Sequence, residues 1–88
     1  MARDHSVYVH FEALEVLPTR GRRRSVVLSY LGILGKIAHL GGDYVRKDPE
    51  TGRPYEVTEV AGFAVTWWID APADEVKVVD IHRCSTKR

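Results

Sequence analysis

Apolar and polar residues alternate in five stretches of this chain and recur at helical spacing in two. Residues 6–11, Ser-Val-Tyr-Val-His-Phe, set Val7, Val9 and Phe11 on one side and Tyr8 and His10 on the other, the pattern of a half-buried strand. Phe11, Leu14 and Leu17 then fall at helical spacing, which predicts a short helix from about Glu12 to Leu17, broken by Pro18 and Gly21. A long helix follows from about Arg22 to Leu40. Val27, Leu31, Leu34 and Ala38 form its apolar stripe, with Tyr30 and Ile37 alongside. The opposite face holds Ser25, Ser29, Gly32, Gly35, Lys36 and His39. A glycine inside a helix costs roughly 1 kcal/mol relative to alanine, and close approach of another backbone is the usual compensation. The short first helix is the expected neighbour, and a groove for a partner's helix is the alternative. Gly41-Gly42 supplies a left-handed residue to end the helix.

The second half reads as four strands: Tyr44 to Lys47, Pro54 to Val60, Phe63 to Ile69 and Glu75 to His82. Asp48-Pro49-Glu50-Thr51-Gly52 is a turn sequence, Ala61-Gly62 suits a two-residue hairpin, and Ala71-Pro72-Ala73 makes the last turn. A two-residue hairpin sets Val60 opposite Phe63 and Glu56 opposite Trp67. Phe63, Val65, Trp67 and Ile69 then face the helices. Tyr55, Val57, Glu59, Ala64, Thr66 and Trp68 lie on an open face, where exposed Tyr55 and Trp68 would offer a partner an aromatic surface. Both registers of the last strand are partly apolar, as in a central strand covered on both sides. The whole predicts one α+β domain over residues 1–88, in two layers, with helices packed on one face of an antiparallel sheet.

Composition bounds the function. The net charge of +1 lacks the basic excess of a strong nonspecific nucleic-acid binder. One cysteine, Cys84, excludes an internal disulfide, and no Cys/His spacing suggests a metal site. No cofactor motif is present. No run approaches the ~20 apolar residues of a membrane span, and Met1 to His5 contain no apolar signal core, so a cytoplasmic protein is expected.

The candidate chemistry is sparse. His82 and Arg83 end the last strand and suit a general acid or base and a phosphate clamp, or else a solvated strand end. Arg46, Lys47 and Arg53 can hold phosphates or simply charge an edge strand. Tyr55 and Trp68 can stack bases or stabilise the sheet. Glu59 suits a general base beside His82 or, more commonly, a surface carboxylate near a turn. Asp80, in a central strand, requires a partner or the open face. Arg20, Arg22, Arg23 and Arg24 crowd the start of the long helix, where positive charge opposes the helix dipole. That placement points to contact with nucleic acid or an acidic partner, although a solvated loop is the commoner outcome for such a run.

Three stretches resemble the RelE/ParE superfamily of bacterial toxins. Gly42-Asp43-Tyr44 with Pro54-Tyr55-Glu56-Val57 is similar to its passage from helix end into a "yEv" strand. Phe63-Ala64-Val65-Thr66-Trp67-Trp68 is similar to its "yR(i/l)xY" strand. Val76 to Arg83 is similar to its "kVvxIxxv.hR" final strand. The resemblance implies a β-α-α-β-β-β-β order, a first strand beside the last, and a toxin of a type II toxin–antitoxin system neutralised by a cognate antitoxin. It implies one of two targets: mRNA in the ribosome, cleaved by a RelE-like endoribonuclease, or DNA gyrase, inhibited by a ParE-like binder. A detoxified binding module of the same fold is the further alternative. Ala64 stands where the "yR" pair has arginine, and Glu56 and Glu59 stand where basic groups are usual. These departures favour the binding readings over cleavage.

Overall fold

The computed structural model describes residues 5–84; Lys87 and Arg88, basic in the sequence, lie outside them. β1 is Ser6–Val9, and a 3₁₀ helix, Phe11–Val16, follows it. Helix α1 spans Arg22–Ile37 and passes into a 3₁₀ turn, Ala38–Leu40. The remaining strands are β2 Tyr44–Lys47, β3 Pro54–Val60, β4 Phe63–Asp70 and β5 Glu75–Arg83. They form a five-stranded sheet in the order β1-β5-β4-β3-β2, with α1 on one face.

The sheet is mixed, not wholly antiparallel. β1 lies beside β5, as expected, but runs parallel to it. β2, β3, β4 and β5 pair antiparallel in succession. β2 enters antiparallel to β1 after the helical crossover, and the three reversals that follow return β5 parallel to β1. A parallel pair requires such a crossover.

The α1 stripe packs as its spacing predicts. Val27, Leu31, Leu34 and Ala38 are buried with Phe63, Val65 and Trp67 of β4 and Val76, Val78 and Ile81 of β5. Ile69 and Phe11 depart from expectation. Ile69 is exposed at the strand end, and Phe11 is 70% exposed on the 3₁₀ helix, stacked on the His10 ring. Leu17, which caps the 3₁₀ helix, is buried as its spacing predicts.

The two helix glycines differ. Gly35 is buried because β1 begins against it: the His5 N–H donates to the Gly35 carbonyl at 3.0 Å, and a Cβ on Gly35 would overlap the His5 carbonyl oxygen. The close neighbour is therefore a strand end, not the first helix. Gly32 faces open space.

The hairpin turns also form as their residues dictate. Asp48 Oδ1 accepts from the Glu50 and Thr51 N–H groups at 2.7 and 3.1 Å, and Gly52 takes φ +76°. Ala61 and Gly62 both have positive φ, and Val60 pairs with Phe63 and Glu56 with Trp67. β5 is central but covered on one face only. Thr66 pairs with Asp80 and Trp67 with Val78, so Val79 is a bulged residue without a partner. That bulge gives β5 its two apolar registers, since Val76 and Val78 face the core before it and Ile81 after it.

Candidate functional site

Strand alternation sorts the candidate residues before any side chain is placed. Residues that pair across β2, β3, β4 and β5 share a face. Opposite the core lie Tyr44 and Arg46 of β2, Tyr55, Val57 and Glu59 of β3, Ala64, Thr66 and Trp68 of β4, and Asp80 and His82 of β5. Phe63 pairs with Arg83, so Arg83 belongs to the helix side.

His82 and Arg83 are thus adjacent in sequence and turned to opposite faces. His82 Nδ1 meets Asp80 Oδ2 at 2.9 Å, both half-exposed, an i,i+2 pair on the open face. This pair answers the requirement for a partner at Asp80 and leaves His82 Nε2 for other contacts. The Arg83 guanidinium instead lies 5.7 Å from the centroid of the buried Phe63 ring. Arg23 covers the same ring at 4.7 Å and donates from Nε to the Ala61 carbonyl at 3.0 Å.

The arginine run therefore forms a second group on the helix side of the sheet, around the start of α1. Arg24 donates from Nη1 to the Pro18 carbonyl at 3.1 Å, and Arg20 and Arg22 are exposed. Among the described residues no carboxylate lies within ion-pair distance of any of these arginines.

On the open face, residues from distant strands meet. Arg46, Lys47, Tyr55, Thr66, Val79 and Asp80 line a cavity of about 190 Å³, roofed by the Asp48-Pro49 turn. β2 is the opposite edge from β1 and stands three places from β5, so the β2–β3 hairpin must curl over the open face to share a cavity with β5. Lys47 faces the helix side by register and reaches the cavity only at the turn. Thr66 is 3% exposed, and its Oγ1 has no hydrogen-bond partner among the described residues. Sequence reasoning missed Thr66 as a functional group. Its place between Val65 and Trp67 marked it as open-face, but burial there depends on the curl of the hairpin.

The remaining candidates flank this cavity. Trp68 and Tyr55 are partly buried rather than open. The Arg53 guanidinium stacks 4.3 Å from the Trp68 centroid, and Lys77 Nζ lies 6.0 Å from both the Trp68 and Tyr8 rings. Lys77 is raised above the ordinary lysine range by its bond to Asp70, whose Oδ2 is 3.1 Å away, so it remains a cation. Glu59, Ala64 and His82 fall in one row, which separates Glu59 from His82 by two strand spacings, about 10 Å. Glu59 does not contact His82.

Glu56 is not on the open face. Its Oε1 accepts from the Gly42 N–H at 2.8 Å on the helix side, fixing the chain as it leaves α1. The open face has one fewer carboxylate than the sequence comparison with nucleases implied. Burial pushes the Cys84 thiol up, and Glu59 adds to the effect, so both disfavour the thiolate.

An apolar surface remains uncovered at the β1 edge of the sheet. β1 is an edge strand, and beside it Val7, Val9, Leu14, Leu28, Leu31 and Gly32 line a groove of about 460 Å³. No helix among the described residues is long and apolar enough to cross a membrane.

No family model matches the chain, and no curated protein matches its sequence. Among solved structures, a chain of the toxin–antitoxin complex RelBE2 from Mycobacterium tuberculosis is similar, with a TM-score of 0.66 at 15% identity, over 93% of this chain and 94% of that one. The likeness is one of fold, and the chain has a RelE-like α+β architecture.

Proposed function

We propose that this chain is the toxin of a type II toxin–antitoxin pair, arresting bacterial growth from the cytoplasm until a cognate antitoxin covers it. The observation that supports this best is the likeness of fold, end to end in both chains, to a component of a toxin–antitoxin complex. The edge of β1 and the adjoining apolar groove fit an antitoxin segment that adds along the strand and buries apolar side chains beside α1. Induced expression in a bacterial host, with and without the neighbouring antitoxin gene, tests it. Growth arrest relieved by the antitoxin is expected. A host that grows normally without any antitoxin would leave an inert binding module of the same fold.

A second reading concerns the target. The open face favours RNA over gyrase, because it sets Arg46 and Asp80 around one cavity, pairs His82 with Asp80 outside its lining, and turns Glu56 away. With Nδ1 held by Asp80, His82 Nε2 is the group for proton transfer at a 2′-hydroxyl, and Arg46 the cation for the scissile phosphate. Arg83 has no part in that site. mRNA cleavage measured beside growth arrest separates the targets: arrest without cleavage would indicate inhibition of a protein such as gyrase.

A further inference from the structure

We propose that the cavity beneath the β2–β3 turn receives the edge of a nucleobase, and that the Thr66 hydroxyl is the group that reads it. This rests on the open face binding RNA, as argued above. The starting point is an energetic anomaly. Thr66 is 3% exposed and its hydroxyl has no partner among the described residues, while Val57 and Ala64 beside it are equally buried and apolar. A buried hydroxyl without a partner lowers the stability of the folded chain. A valine would fill the same place without that cost.

The walls define what the hydroxyl can meet. Asp80 gives Oδ2 to His82, and its other oxygen is an acceptor with no hydrogen bond among the described residues. Arg46 and Lys47 add cations, Asp48 adds a carboxylate whose Oδ1 is taken by the Glu50 and Thr51 N–H groups, and Tyr55, Val79 and Pro49 add apolar surface. A simple anion meets repulsion from Asp80, and a simple cation meets repulsion from Arg46. A flat group with a donor beside an acceptor satisfies both Asp80 and Thr66 and lies against the apolar walls. Nucleobase edges have that pattern, and unpaired bases are recognised by edge hydrogen bonds and aromatic contact. The cavity of about 190 Å³ holds roughly six waters' volume, room for one ring system but not for a chain. Phosphates on either side of the base would fall to Arg46 and Lys47.

The test compares binding and stability in the same variants. Fluorescence anisotropy of the full chain is measured with a short single-stranded RNA and with an abasic ribose-phosphate oligomer of equal length. Thr66→Val is expected to weaken binding of the base-bearing RNA about tenfold, to leave the abasic oligomer unchanged, and to raise the Tm. Thr66→Ser, which keeps the hydroxyl, should retain the preference for bases. Arg46→Ala should weaken both oligomers together.

Unchanged RNA binding by Thr66→Val, or equal weakening of both oligomers, would overturn the base pocket and leave RNA binding standing. A lower Tm for Thr66→Val would assign the hydroxyl to the fold and overturn the proposal. Wild-type protein that binds neither oligomer would overturn the open-face reading beneath it. Loss of antitoxin affinity in Thr66→Val, with no RNA binding in the wild type, would reassign the pocket to a protein partner.

Discussion

Two threonines on neighbouring strands define the two faces of this sheet. Thr58 of β3 faces the helix, and its Oγ1 accepts from Trp67 Nε1 at 3.1 Å and from the Tyr30 hydroxyl at 2.9 Å. Thr66 of β4 faces the other way, is as deeply buried as the core, and has no partner among the described residues. Among the described residues, no buried side-chain polar atom on the helix side is left without a partner. On the open side the fold encloses a hydroxyl and leaves it unanswered. The first is what stability requires, since unsatisfied buried groups are costly. The second is the observation on which the proposed base pocket rests.

The comparison breaks first at the core. Leu34 is fully buried beneath α1, and Leu34→Ala is expected to cost about 2–5 kcal/mol in urea unfolding, with Leu31→Ala in the same range. A cost near zero would mean that α1 does not pack on this sheet. The two threonines give the sharper contrast. Thr58→Val leaves the buried Trp67 Nε1 and the partly buried Tyr30 hydroxyl without their acceptor and is expected to destabilise by about 1–3 kcal/mol. Thr66→Val is expected to have the opposite sign. If both variants shift the denaturation midpoint in the same direction, the faces are not different in the way described.

The smallest effect is a pH dependence. Burial raises the Tyr30 pKa above 10.0, with its bond to Thr58 opposing the shift. A raised folded-state value means that the neutral hydroxyl contributes stability below about pH 10, which is lost as pH rises through the raised value. Unfolding measured from pH 8 to pH 11 should show the advantage of wild type over Tyr30→Phe shrinking above pH 10. A constant difference across that range would place the hydroxyl in water.

Much of this architecture was legible in the residues. The helix stripe, the Ala61-Gly62 hairpin and its register follow from period and turn chemistry, and the structure has them at those positions. Alternation alone also separates Glu56 from Glu59, three apart on a strand, and His82 from Arg83, one apart. The family resemblance groups those residues together, and the pleat does not permit it.

What stayed hidden depends on how the sheet bends. The β5 bulge at Val79 reverses the inward set midway, so no single alternation fits that strand. The curl of the β2–β3 hairpin carries Arg46 from the far edge to Asp80. Neither the bend nor the burial of Thr66 beneath it has a local sequence signal. The packing of Gly35 against His5 is likewise a contact between distant segments, visible in sequence only as a glycine with an unnamed neighbour.

The two basic regions differ in the same way as the two threonines. Arg23 and Arg83 are engaged with Phe63, and Arg23 and Arg24 also with backbone carbonyls, whereas Arg46 borders the unanswered cavity. Growth after induction, in a host without antitoxin, tests most directly which region acts. Wild type, Arg46→Ala and Arg83→Ala are compared at equal levels of folded protein. Arrest that is lost in Arg46→Ala and kept in Arg83→Ala is the expected result, and arrest kept in Arg46→Ala but lost in Arg83→Ala would contradict it.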